Sequence, residues 1–128
     1  MRPEHIQRLA RSGMEIGAHT VSHPILARLD RTGARAEIAG GKEKLEGIIG
    51  SPVRLFAYPN GVPNRDYTGE HVQLVKESGF LAAVTTAPGA ARAASNYLQL
   101  PRFAPWDRRP GRFVWRLLQN YLRTGKVA

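Results

Sequence analysis

The chain has 128 residues, 42% hydrophobic and 23% charged, enough for one globular domain with its own core. The absence of cysteine excludes disulfides, thiolate metal sites and cysteine nucleophiles, and no apolar run approaches the roughly 20 residues that span a bilayer. Nineteen basic against 10 acidic residues give a net charge of +9, an excess that suits nucleic acid, anionic polymers or anionic membrane surfaces.

The segment Met1–His5 lacks the apolar core of a secretory signal, and the compartment stays open. Pro3 suits a first helical position, and Ile6, Leu9 and Ala10 repeat at helical spacing until Gly13 ends the segment. Met14 to Ala18 reads as a short buried strand that delivers His19 at its carboxyl end. Ser22 is placed to cap a short helix with Pro24 in its first turn, running through Ile25, Leu26 and Leu29. A longer helix starts at Asp30 or Thr32 and turns Ile38, Leu45, Ile48 and Ile49 inward, until Gly50-Ser51-Pro52 breaks it. Gly40-Gly41 weakens its middle, as expected where a helix packs closely on a sheet.

Val53 to Tyr58 is a second apolar strand, stopped by Pro59-Asn60-Gly61. Asp66 to Ser78 forms a helix with Val72 and Val75 on its apolar face, and Phe80 to Thr86 a third strand. The alanine-rich loop from Ala87 to Asn96 leads to a short strand at Tyr97–Leu100. The final helix, about Pro110 to Leu122, gathers Phe113, Val114, Leu117, Leu118, Tyr121 and Leu122 on one side. Alternating helices and strands with short connections predict an α/β fold of parallel strands flanked by helices. It forms one domain over 1–128, with 106–128 as its C-terminal helical segment.

The stretch His19-Thr20-Val21-Ser22-His23 carries the chemistry. Two imidazoles four residues apart at the end of a buried strand are half of a metal site, because each neutral ring offers a lone pair that a divalent ion such as zinc accepts. Ligands in α/β sheets gather at the carboxyl ends of strands, where His19 lies. Phe56-Ala57-Tyr58-Pro59-Asn60-Gly61 ends in a turn that presents backbone N–H groups at that same end of the sheet, a suitable arrangement for stabilising an oxyanion beside a metal. His5 and His71 lie on predicted helices without companion ligands and read as surface or core-edge residues.

With these residues in view, the chain resembles the polysaccharide deacetylases, carbohydrate esterase family 4. Gly17 to Pro24 resembles the family's His-[Ser/Thr]-x-x-His motif, and Phe56 to Gly61 its "FAYPNG" motif. Glu37 through Gly50 resembles the helix after the histidines, Gly79 to Gly89 the following strand and loop, and Leu100-Pro101-Arg102 the last motif. The resemblance implies a metal-dependent N- or O-deacetylase on a partial or distorted (β/α) barrel, acting on an acetylated oligo- or polysaccharide. His19 and His23 would then be metal ligands, usually to zinc. The Asn60 N–H would be the oxyanion donor, while Tyr58 and Pro59 would shape the acetate pocket. In the family a third ligand and the general base are paired aspartates, and a protonated histidine assists the leaving amine.

The departures matter equally. The paired aspartates come from a Thr-Phe-Asp-Asp motif upstream of the histidines, yet no aspartate precedes His19; the chain's aspartates are Asp30, Asp66 and Asp107. Ala57 stands where many members carry arginine. Arg102 and Phe103 lie near the usual place of the acid histidine, which makes Arg102 a candidate to orient an acidic group. Two neutral histidines without a carboxylate hold zinc weakly and position no base. The expectation is therefore a deacetylase portion, truncated at its N-terminus, whose machinery is incomplete within this chain. The rival expectations are a non-catalytic carbohydrate- or metal-binding remnant and, more distantly, a basic nucleic-acid-binding module. The arginines are scattered from Arg2 to Arg123, clustering only mildly at Arg102–Arg116, so a nucleic-acid partner is not expected.

Overall fold

Three parallel strands, β1 (Gly17–Ala18), β2 (Leu55–Ala57) and β3 (Ala82–Val84), lie side by side in chain order. The computed structural model describes residues 1–104, 106–123 and 127–128, so the expected C-terminal segment at 106–128 falls partly outside them. Helix α1 (Pro3–Arg11) precedes β1. Helix α2 (Arg31–Ile49) joins β1 to β2, α3 (Gly69–Glu77) joins β2 to β3, and α4 (Pro110–Leu122) follows the last strand. Parallel neighbours require crossovers of one hand. With strand order 1-2-3 that rule puts α2 and α3 on the same face of the sheet, where they pack against each other.

The register explains which side chains form the core. Ala18, Phe56 and Ala83 stand in one row across the sheet, each at most 2% exposed. They meet Ile38 and Ala34 of α2, Leu74 and Val75 of α3, and Phe80. The alternate row, Gly17, Leu55 and Ala82, faces the other way, and Leu55 is 38% exposed. Among the described residues the sheet is open, with no barrel closure.

The long helix agrees best with its expectation. The Asp30 carboxylate accepts from the Gly33 amide at the start of α2, and Gly50 ends it at φ 71, the left-handed geometry that favours glycine. The strands are shorter than the apolar runs because ladder pairing covers only two or three residues of each. Helix α3 starts at Gly69, not Asp66, because the Asp66 carboxylate accepts from the Val62 amide and the Arg65 guanidinium, which stabilises the preceding loop. Ser22 caps no helix, since its amide and hydroxyl both bond Glu37; the expected helix shrinks to one 3₁₀ turn, Leu26–Arg28.

The expected strand at Tyr97–Leu100 is likewise a 3₁₀ turn, Tyr97–Gln99, because the Asn96 side chain accepts from the Leu98 amide and competes with extended pairing. Leu100 alone bridges to Val84. His5 is exposed as expected, but His71 is buried inside the core edge at 5% exposure. The Thr68 amide donates to its Nδ1, and its Nε2 donates to the Leu26 carbonyl. This places the proton on Nε2, and burial holds the imidazole below its ordinary pKa, outweighing the Leu26 carbonyl and Glu70.

Candidate metal and oxyanion site

His19 follows β1 directly, and its Nδ1 lies 2.6 Å from the Ala57 carbonyl of the neighbouring strand. A carbonyl only accepts, so Nδ1 carries the proton and Nε2 keeps its lone pair outward. This is the arrangement a metal-binding imidazole needs, because the second nitrogen fixes ring and tautomer. The His23 ring packs edge-on against the His19 ring with centroids 4.8 Å apart and planes at 70°. Zinc held about 2.1 Å from a nitrogen of each ring at a tetrahedral angle would separate the ring centres by about 5 Å. Both histidines are exposed and reachable from solvent. The structure therefore brings the two predicted ligands together.

The loop that holds them is strained and clamped. Thr20 and His23 sit at φ 64 and φ 61, where residues other than glycine are uncommon and a β-branched one is disfavoured. Glu37 of α2 supplies the compensation. Its Oε2 accepts from the Val21 and Ser22 amides at 2.9 Å, and its Oε1 accepts from the Ser22 hydroxyl at 2.7 Å. Burial opposes its ionisation, but the Ser22 hydroxyl and the Ser22 and Val21 amides prevail, holding the carboxyl below its ordinary pKa. The Thr20 hydroxyl accepts from the His23 amide and closes the loop from within. One turn along α2, Gly41 lets the helix approach so closely that an added Cβ would lie 2.9 Å from the Thr20 carbonyl carbon and oxygen. The Gly40-Gly41 pair thus packs against the histidine loop, where the sequence had suggested the sheet itself.

Glu37 and Gly41 as loop holders were missed by sequence reasoning, although a signal existed. They stand four apart on one helix face, and a paired glycine in a long helix marks a close neighbour.

The turn after β2 is fixed by Thr86, just beyond the third strand. Asn60 has φ 56 and Gly61 φ 71. The Thr86 hydroxyl donates to the Asn60 carbonyl at 2.7 Å, and the Thr86 amide donates to the Gly61 carbonyl at 2.9 Å. A Cβ on Gly61 would lie 3.0 Å from the Tyr58 carbonyl oxygen and 3.1 Å from the Thr86 nitrogen. Asn60 is exposed at the same end of the sheet as His19, and among the described residues its N–H meets no acceptor.

Tyr58 and Pro59 occupy a different place from the one expected of pocket walls. Both are fully buried. The Tyr58 ring stacks on Tyr67 at 3.9 Å, and its hydroxyl donates to the Leu98 carbonyl. Burial, then the neighbouring Tyr67, push the phenol far above its ordinary pKa, which removes it from acid–base work near neutrality. The two residues support the turn from beneath. Arg102 is exposed on an open cleft of about 560 Å³ shared with Thr86, Phe103, Ala104 and Trp106. His19 borders a separate groove of about 440 Å³ lined by Ile6, Gly17, Thr20, Gly41 and Leu45. Thr86 links the Arg102 cleft to the Asn60 turn, and Ala57 links that strand to His19.

The donor set fits a metal only in part. Among the described residues no group of three or more His, Cys, Asp or Glu side chains converges. Asp30 caps α2, Asp66 braces its loop, and Asp107 pairs with Arg116 at 2.8 Å. The two imidazoles offer half of a four-coordinate shell, and no carboxylate here completes it.

Residues 1–83 match the family model described as polysaccharide deacetylase. The putative polysaccharide deacetylase YxkH of Bacillus subtilis (strain 168) is 28% identical over 88 residues, covering 69% of this chain and 30% of that protein. Among solved structures, the Streptococcus pyogenes deacetylase PplD in complex with acetate superposes with a TM-score of 0.78 at 25% identity, over 96% of this chain and 51% of that one. The polysaccharide deacetylase BC0361 from Bacillus cereus superposes with a TM-score of 0.68 at 28% identity, over 80% of this chain and 31% of that one. The chain spans about half or less of the length of these relatives.

Proposed function

The chain belongs to the polysaccharide deacetylase family, and from that membership we propose that it is the metal- and oxyanion-binding portion of a hydrolase removing acetyl groups from an acetylated oligo- or polysaccharide. The observation that carries this reading is the pairing of the His19 and His23 rings at the end of β1, with His19 oriented by the Ala57 carbonyl. A divalent ion, zinc by preference for this donor set, supplies carbonyl polarisation and water activation when bound. His19 and His23 each give it one nitrogen, and Glu37 holds their loop in register. On this reading the Asn60 N–H donates to the acetyl oxygen that gains charge, a role supported by the Thr86 hydroxyl holding that turn through the Asn60 carbonyl. Arg102, beyond the 3₁₀ turn Tyr97–Gln99, orients an acidic group of the substrate or of a partner segment.

The third ligand and the general base come, on this reading, from a polypeptide segment outside residues 1–128 bearing paired aspartates, which would also extend the open sheet toward a (β/α) barrel. The test is to supply such a segment, fused ahead of α1, with zinc and an acetylated chitooligosaccharide. Acetate release that disappears in His19→Ala and His23→Ala is the expected result. No release from a folded, zinc-loaded fusion would refute the catalytic reading. The lack of a third converging ligand among the described residues favours a second reading, a metal- or carbohydrate-binding remnant. Zinc and sugar binding without acetate release would select it.

A further inference from the structure

Helix α4 turns a polar row toward a cleft. Arg116, Gln119 and Asn120 of the helix and Arg123 at its end follow one another at helical spacing, one line on its surface. Across from them lie Arg102, Phe103 and Trp106. The space between is about 250 Å³ and adjoins the cleft of about 560 Å³ at Arg102, sharing Thr86, Arg102, Phe103, Ala104 and Trp106 with it. Clefts of about 300–1,000 Å³ are of the size that holds small ligands. Both walls are tied to one loop. The Arg102 amide donates to the Ala87 carbonyl at 3.0 Å, and the buried Asn120 side chain donates to the Gly89 carbonyl at 2.9 Å.

The lining is cationic and aromatic. Arg116 is already satisfied by Asp107 at 2.8 Å, but among the described residues neither Arg102 nor Arg123 pairs with a carboxylate. Each guanidinium offers N–H donors in a flat fork that fits a carboxylate, and it has no acceptor of its own. Trp106, 83% exposed at the rim, offers a flat apolar ring for the C–H face of a sugar. Thr86 lines the cleft while its hydroxyl holds the Asn60 carbonyl, so the cleft adjoins the turn assigned to the acetyl group. A segment joined ahead of α1 enters elsewhere, because α1 packs on α2 and β1 is the edge strand farthest from β3. Resting on the deacetylase reading for its register, we propose that this cleft binds an acidic sugar next to the acetylated one. Its carboxylate lies on Arg102 and Arg123 and its ring on Trp106, which makes an anionic glycan the substrate class.

Trp106 and Trp115 are the chain's two tryptophans, so in a Trp115→Phe background the emission of Trp106 reads the cleft. That protein would be titrated, without metal, with hyaluronan hexasaccharide, which alternates N-acetylglucosamine with glucuronate, and with neutral chitohexaose. The expected result is a change in Trp106 emission and an affinity for the acidic sugar at least roughly tenfold higher, a preference that shrinks between about 50 and about 500 mM NaCl. Arg102→Gln and Arg123→Gln should each cost roughly tenfold in hyaluronan affinity and leave chitohexaose affinity in place. Arg8→Gln, on α1 away from the cleft, should change neither. Three results would overturn the proposal: equal affinity for the two sugars, undiminished hyaluronan binding by both cleft variants, or an equal loss in Arg8→Gln, which would show attraction to the basic surface at large. Because no acetate release is read, an inactive fusion protein would leave this result standing, and equal affinities would leave the hydrolase reading standing.

Discussion

Helices α2 and α3 bury Ile38, Leu74 and Val75 in the core, whereas α4, with an apolar stripe at least as bulky, leaves Trp115, Leu118 and Leu122 in solvent. The periodicity is of one kind in all three, but the connections differ. Helices α2 and α3 each link two parallel strands and must fold back over the sheet. Helix α4 follows β3 by way of an irregular segment and returns to no further strand among the described residues. A helical stripe shows that a face exists; what covers it is decided by topology.

Truncating the core face should cost most. Phe56→Ala, which empties the space against Phe80 and Tyr58, is expected to lose about 3–5 kcal/mol in chemical denaturation. A loss under about 1 kcal/mol would mean that the sheet–helix interface is not the source of stability. Next comes the helix–loop contact. Gly41→Ala gains up to about 1 kcal/mol of helix propensity but forces backbone atoms apart at 2.9 Å, an overpacking that costs roughly 1–3 kcal/mol, so a net loss is expected. Gly47→Ala in the same helix meets nothing within 4 Å and should stabilise by about 0.5–1 kcal/mol. Equal signs for the pair would contradict the close approach to Thr20.

A pH titration of stability sharpens the same contrast. Buried His71 is held below its ordinary value of 6.5. The unfolded chain therefore takes up this proton first as pH falls, so the contribution is complete above about 6.5 and is lost below it. Stability followed from pH 8 to pH 5 should decline through that window, and less so in His71→Asn, which cannot titrate. The smallest effect belongs to α4, where Leu118→Ser should change stability by no more than about 0.5 kcal/mol. A larger loss would show that the exposed face is packed after all.

Much of this was legible before the fold. Asp30 and Gly50 mark the ends of α2 by capping chemistry, and His19 falls at a strand end because an apolar run stops there. Short-range competition was harder to read. Ser22 looks like a helix cap until Glu37, fifteen residues away, accepts its hydrogens, and Asn96 diverts Tyr97–Gln99 from a strand into a 3₁₀ turn. Tyr58 and Pro59 sit beside exposed Asn60, yet both are buried; Tyr58, two residues beyond Phe56, shares its inward side and stacks on Tyr67. Sheet closure was illegible for another reason, because it depends on pairing partners that three strands do not contain.

The account rests on His19 and His23 acting as one donor pair. Nitrogen-detected NMR of the imidazoles during zinc titration tests this directly. Simultaneous shifts at His19 Nε2 and one ring nitrogen of His23, with His5 and His71 unmoved, are the predicted result. Zinc that perturbs only one of the pair, or neither, would contradict it.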